Sequence, residues 1–498
     1  MMKYILLFVV LWGLNSCSSF LEPKSPSEYI PKNISSLNEM LLGDAYPLAS
    51  GSRSLFAYHN VMDDDIEMTD EPITFGDNDI MNEVGLRALF SWNPDMHILM
   101  EEVSLYKKVW SGYYQLIMGA NAALDYLDEV SGTSEEKAFV KAQAHGLRAF
   151  YYLQLVNMFG EPYTYNKQAL GVPLKLTSAL SSDFNKRNTV EEVYVQIVRD
   201  LDEAERSFME LSADRQFTPN YRMNLPAVQL LKARTYLYMD NLEEAGKYAK
   251  RVIEDWNFSL YDLRTFNAEG NTYPNYVSYE NPETIWAYGG ASDLCVFMDL
   301  YGRKADGKTT RRFLAASKNL LGSFTSEDLR KDLYILKGYE NNVVVNDFYR
   351  PIGKLAIENN SYVTRTEFAL SFRLSEAYLI LAEAVYKIDQ DLSIKLINDL
   401  RERRFSGEEY KVDALSGEQL LDFIRAERRR ELCFEGFRWF DLRRYGMPSF
   451  KRVWKENGVA IKEFEMEKED AAYTLPIPQE VIDRNPNLEQ NRLTSPKL

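Results

Sequence analysis

Three glutamates, Glu427, Glu431 and Glu435, stand four residues apart near the C-terminal end of the chain. On a helix that spacing lines them along one edge. Two chemistries fit such a row: paired carboxylates for general acid and base work, or a salt-bridged helix end that pins several elements together. Cations are at hand, since Arg428 and Arg430 follow Glu427 at one and three residues and Arg438 follows Glu435 at three. Leu421, Ile424, Arg428, Glu431 and Leu432 share a face, so charge lies on an otherwise apolar stripe. Charges so placed are tolerable only when paired. The structural reading is favoured, because ion-pair networks gather titratable groups without catalysing anything. Ser416, with Gln419 three residues on, predicts a capping box that opens the helix, and Gly436 predicts its stop. Phe437, Trp439 and Phe440 then supply an apolar anchor.

As written, the stretch is Glu427-Arg428-x-Arg430-Glu431-Leu432-x-x-Glu435-Gly436-x-Arg438-Trp439-x-Asp441-Leu442-Arg443-Arg444. It resembles the C-terminal motif of the SusD/RagB family. That resemblance implies a lipid-anchored outer-membrane protein that works with a SusC-like TonB-dependent transporter to import nutrients, most often glycans. Further segments carry the same resemblance: Phe20-Leu21-Glu22-x-x-x-Pro26, the helix Leu147-Arg148-Ala149-Phe150-Tyr151-Tyr152, and the closing Leu475-Pro476-Ile477-Pro478 strap.

The N-terminus has its own chemistry. Lys3 precedes an apolar run, Tyr4–Leu14, too short to span a bilayer and suited to a signal peptide. Leu14-Asn15-Ser16-Cys17 resembles a lipoprotein cleavage box; a standard signal peptide with an incidental cysteine is the alternative. Lipidation is expected at Cys17, with residues 1–16 removed. Several acyl chains there would anchor the protein stably in the membrane, where one alone would be marginal. Residues 17–32, with Pro23, Pro26 and Pro31, read as an extended tether.

Composition narrows the remaining options. The net charge of −16 becomes −17 once Lys3 is removed with the leader, which argues against nucleic acid as a partner. Cys17, Cys295 and Cys433 make neither a disulfide scaffold nor, with His59, His97 and His145 far from them in sequence, a zinc pattern. Asp63, Asp64, Asp65, Glu67, Asp70 and Glu71 form an acidic run whose oxygens suit calcium, but the spacing lacks EF-hand order. No cofactor is expected, and a solvated acidic loop is the simpler account.

The elements that must carry these groups are mostly helical. Trp110, Tyr113, Ile117, Ala120 and Leu124 make an apolar stripe within Val103–Val130. Thr133 with Glu136, and Thr189 with Glu192, predict capping boxes. Pro226 suits a first helical turn. Ala233, Tyr236 and Ala245 across a break at Asp240-Asn241 suggest two nested antiparallel helices of tetratricopeptide type, and Leu374–Arg404 repeats the scheme. His145 reads as a packed histidine. Residues 256–345 form an irregular insertion, with short strands expected at Ile285–Tyr288 and Val343–Tyr349. The expected fold is mainly α, degenerate tetratricopeptide-like pairs with long loops and little β. Residues 33–255 form an N-terminal helical region and 346–498 a C-terminal one.

Sugars stack their C–H faces on aromatic rings and take hydrogen bonds at their edges. Loop aromatics are therefore the ligand candidates: Trp92 beside Asn93, and Tyr273, Tyr276, Tyr279 and Tyr301 in the insertion. Core packing is the competing account of any one of them. Three functions remain in play: a glycan-capturing lipoprotein, a docking protein for a transporter of peptide or other nutrient, and a glycosidase using two carboxylates. The last is disfavoured because no acidic pair sits in a context that separates its pKa values.

Overall fold

The computed structural model describes residues 30–495, apart from 48–54, 57, 77–79, 101–108, 180–184, 218, 267–275, 291–300, 305–309, 341–342, 351–356, 359–360 and 363–367. Cys17, Cys295 and Tyr273 lie outside the described residues, as do the leader and most of the tether.

The chain opens with α1 (Ile34–Asp44), strands β1 (Ile66–Met68) and β2 (Ile73–Thr74), and α2 (Ile80–Phe90). A helical array follows: α3 (Val109–Asp125), α4 (Ser134–Phe159), α5 (Val190–Met209), α6 (Leu225–Tyr238) and α7 (Leu242–Glu254). The irregular stretch runs on past residue 345, as far as the helix that begins at Leu374, and holds β3 (Thr284–Tyr288), β4 (Tyr301–Lys304), β5 (Thr310–Arg312), β6 (Leu314–Ala316), β7 (Leu336–Glu340), β8 (Val343–Arg350) and β9 (Leu370–Arg373). The array then resumes with α8 (Leu374–Val385), α9 (Gln390–Glu402), α10 (Gly417–Glu431) and α11 (Arg438–Arg444), and closes with β10 (Phe450–Glu456) and β11 (Val459–Met466).

Helices that follow one another in sequence pack side by side from α3 to α7, and α7 packs on α8 as if the insertion were absent. That continuity is the tetratricopeptide-like layering expected of helices whose single apolar faces need a neighbour. Two of the three predicted capping boxes close: Thr133 and Glu136 exchange hydrogen bonds at the start of α4, and Thr189 and Glu192 at the start of α5. Pro226 sits in the first turn of α6. Helix α4 runs through the middle with residues buried on every side, and the chain's closing strap hangs on its end, where Leu475 N–H donates to the Met158 carbonyl at 2.9 Å.

Strands are short and scattered over several small sheets. The β3–β9 pair sets Trp286 opposite Phe372, both fully buried against Phe150. Two strands predicted from sequence appear as β3 and β8. The β10–β11 hairpin turns at Asn457-Gly458, both with positive φ (50° and 76°). Such a pair matches the twist of the flanking strands. Among the described residues, no helix is long and apolar enough to cross a membrane.

Three local expectations need correction. Ser416 is the N-cap of α10, but its side chain makes no capping hydrogen bond, so Gln419 completes no box. Helix α10 ends at Glu431, and Gly436 lies five residues beyond, in a turn where its φ of +84° sits beside Phe434 at +62°. The acidic loop is solvated only in part: Asp70 is exposed, but Asp63 and Asp65 are buried.

Candidate functional site

The row of glutamates ends in a cage of arginines, drawn mostly from elsewhere in the chain. Glu427 meets Arg330 at 2.6 Å, Arg430 at 2.7 Å and Arg401 at 2.9 Å. Glu431 meets Arg404 at 2.9 Å, Arg373 at 3.0 Å and Arg330 at 3.2 Å. Glu435 accepts from Arg373. Asp328 and Glu283 complete the charge balance on Arg330 (2.7 Å) and Arg404 (2.6 Å). Arg428 turns to Asp441 at 2.8 Å, which also binds Arg444 at 2.8 Å. Arg438 pairs not with Glu435 but with Asp64 at 2.6 Å, while Arg429 takes Asp65 at 2.6 Å. Arg443 donates to the carbonyls of Tyr473 and Gly160, and Trp439 stacks on Tyr473 at 5.0 Å.

Most of these groups are buried. Burial pushes Glu427 and Glu431 up, but the surrounding guanidiniums win and hold both carboxyls below the usual range. A general acid must keep a proton near its working pH. These two do not, so the motif is a clamp joining α10 to the end of α9, the β9–α8 junction and the 328–330 turn. His145 is likewise a structural partner, its Nδ1 2.8 Å from Asp200, which Arg148 also binds.

The carboxylates of Asp63, Asp64 and Asp65 approach within 4.8 Å, close enough to share a cation. Two of them are already matched by Arg429 and Arg438. Burial and the neighbouring carboxylates push Asp63 well up. The geometry is that of an ion-paired corner between the N-terminal region and the C-terminal motif.

The predicted sugar contacts fare unevenly. Trp92 is 1% exposed; its Nε1 donates to the Met62 carbonyl at 2.8 Å, and Arg452 lies 4.4 Å from the ring centre. Asn93 is buried and its Oδ1 accepts from Asp95 N–H at 2.9 Å. Tyr276 is 2% exposed, with its hydroxyl 3.1 Å from Arg373 and 3.0 Å from Tyr334. None of the three can offer a face to a ligand in this arrangement. Each sits in irregular chain that the core covers, because a large ring gains more from burial than a loop position loses. Tyr301 begins β4, opposite Arg312, rather than lying in a loop.

Aromatic rings do gather elsewhere at the surface. Tyr221 is 48% and Tyr279 39% exposed, and Phe368 is half-buried beside them. Tyr221 and Phe368 are nearly parallel (13°) with centres 6.4 Å apart; Tyr279 stands edge-on to both, at 6.3 and 6.4 Å. Three loops that are distant in sequence bring them together. Asn220 donates to the Tyr279 carbonyl at 2.8 Å, Ala287 N–H to the Asn220 carbonyl at 3.0 Å, and Ala369 N–H to the Gly289 carbonyl at 3.2 Å. Of the three, the loop-aromatic rule finds Tyr279 in sequence; Tyr221 and Phe368 are spaced with no pattern that links them. Arg330, Arg373, Arg401 and Arg404 escape it for the same reason.

Comparison with known proteins bears on both halves of the chain. A family model described as "SusD family" matches residues 336–493, and one described as "Starch-binding associating with outer membrane" matches residues 20–237. The Starch-binding protein SusD of Bacteroides thetaiotaomicron is 36% identical, covering 74% of this chain and 75% of its own. SusD-like protein P2 of Formosa agariphila is 26% identical, covering 77% and 79%. A SusD superfamily structure from Bacteroides thetaiotaomicron superposes with a TM-score of 0.70 at 25% identity, covering 93% of this chain and all of the other. A laminarin-binding SusD-like protein shares the fold at a TM-score of 0.62 and 20% identity, again over 93% of this chain.

Proposed function

The chain belongs to the SusD family, and on that premise we propose that it is a cell-surface lipoprotein, held in the outer membrane through Cys17, that binds oligo- or polysaccharide and passes it to a SusC-like TonB-dependent transporter. Membership of a starch- and glycan-binding family associated with the outer membrane carries the reading. A relative of the same fold that binds laminarin supports a glycan ligand. The ligand is held and released without a bond being made or broken. The carboxylate-rich motif supports that part, since Glu427 and Glu431 are locked in ion pairs with arginines that hold both carboxyls below the usual range. A net charge of −16 supports a neutral chain over a polyanionic one. The test is electrophoresis of the purified full chain through native gels cast with individual polysaccharides. Retardation in one gel identifies the ligand class, and the absence of new reducing ends in that mixture checks the non-catalytic reading. Retardation in none, together with co-purification of a transporter, sinks glycan capture and leaves docking. Radiolabelled palmitate incorporated by the natural chain, and lost in Cys17→Ser, tests the anchor.

A further inference from the structure

We propose that Tyr221, Tyr279 and Phe368 form a carbohydrate-stacking platform, and that its ligand is an uncharged glycan chain. The proposal rests on the glycan-binding reading above and assigns it a place.

Two observations separate these rings from the aromatics of the core. The first is exposure: both tyrosines stand well out of the surface, at 48% and 39%, while their aromatic neighbours in the fold, Trp286, Tyr288 and Phe372, are buried. An isolated exposed ring is ordinary. Three in mutual contact, drawn from positions 221, 279 and 368, are not produced by one amphipathic element that happens to face solvent. The second is preorganisation. The backbone under each ring is tied down: Asn220 bonds the carbonyls of Tyr279 and Thr284, Thr284 Oγ1 donates to the Ser278 carbonyl at 2.7 Å, and Ala369 is bonded to Gly289. These bonds seat all three loops on the β3–β9 ribbon, so the rings are held without a ligand, and binding loses little loop entropy.

The chemistry selects the ligand. Two nearly parallel rings with a third standing edge-on to them put apolar ring surface at the protein's exterior. Pyranose rings carry axial C–H groups that pack on such faces, and their equatorial hydroxyls stay wet or reach phenol oxygens. Arg222, next to Tyr221 in the chain, is turned away from the rings: it is buried, bonded to Asn38 and lies over Tyr46 and Phe139. The adjacent Glu280 is exposed and would repel a uronate or sulfate. An uncharged sugar chain suits this surface better than an anionic one. A protein partner would leave the same rings covered, so the test separates the two.

The experiment compares the full chain with Tyr221→Ala/Tyr279→Ala/Phe368→Ala and with the ring-preserving Tyr221→Trp/Tyr279→Trp pair, using native gels containing neutral and anionic polysaccharides. Thermal melts by circular dichroism establish that each variant is folded. The expected result is retardation of the wild type by a neutral glycan, a loss of at least about tenfold in affinity in the triple variant, and near-wild-type binding in the tryptophan pair. Equal retardation of wild type and triple variant overturns the platform and leaves the broader reading standing. Unchanged sugar binding with loss of a co-purifying transporter makes the patch a protein contact and also overturns it. A preference for anionic glycans overturns the ligand class. A wild type that no glycan retards overturns the broader reading and the platform with it.

Discussion

Trp92 shows how far residue type alone can mislead. A tryptophan next to an asparagine in irregular chain has the chemistry of a sugar contact, yet here the ring is 1% exposed and its Nε1 is spent on the Met62 carbonyl. Trp92→Ala should therefore act on stability, lowering it by about 3–5 kcal/mol. Chemical denaturation would read this, and any loss of glycan binding should track the unfolded fraction. Gly436 is a second case. Its φ is +84°, and a Cβ there would lie 2.7 Å from His59 Nε2, which is bonded to the Gly436 carbonyl at 2.9 Å. Gly436→Ala should cost about 1–2 kcal/mol from the left-handed backbone alone, seen as a lower denaturation midpoint with an unchanged slope. Two histidines set an acid limit. Burial pushes His59 and His97 down to about 4, against the carbonyls of Gly436 and Pro476. The unfolded chain takes up these protons near pH 6.5 and the folded chain near 4. Their contribution is thus present above about 6.5 and lost as pH falls toward 4, by about 3 kcal/mol each. His97→Gln should flatten stability across that window in urea melts at a series of pH values. Glu427 and Glu431, held low by their guanidiniums, weaken the fold only further down, as pH falls below the ordinary carboxylate range.

At the scale of elements, the cage makes α10 a keystone. Glu431 touches Arg330, Arg373 and Arg404, which arrive from a one-turn helix, the β9–α8 junction and the chain just past α9. Removing one charge leaves buried guanidiniums unmatched, which is far more damaging than losing a surface pair. Glu431→Gln should lower stability by about 3–5 kcal/mol in thermal or urea unfolding. Leu432→Met nearby, which alters packing but no charge, should cost less than about 1.5 kcal/mol. The same logic explains why Arg438 pairs with Asp64 instead of Glu435. Helix α10 stops at Glu431, so the chain has turned before Arg438, and the helical spacing that would join it to Glu435 no longer applies.

For the whole molecule, the arrangement is a helical array interrupted between α7 and α8 by a long insertion whose irregular chain is pinned to both halves. Buried ion pairs hold the scaffold, and exposed aromatics supply the surface on which we place the ligand. These two kinds of interaction respond differently to salt. Stacking of an uncharged glycan should be almost unchanged in 1 M salt, where charges are screened beyond about 3 Å. Binding that weakens steeply with ionic strength in the same native-gel or calorimetric titration would point to an anionic ligand instead.

The chain by itself determined the pattern of helices, because apolar periodicity and capping residues such as Thr133 with Glu136 and Thr189 with Glu192 act within a few residues of one another. It also determined that the Glu427–Glu435 row had to be neutralised, since buried carboxylates demand cations, and its motif pointed to the family. Which cations came, and which aromatics reached the surface, only the tertiary structure decided. Arg330, Arg373 and Arg404 meet Glu431 across loops whose lengths carry no periodic signal. Trp92 and Tyr276 went inward while Tyr221 and Tyr279 stayed out. Exposure of a ring depends on what the rest of the chain lays over it, and that is a property of long-range packing rather than of local sequence.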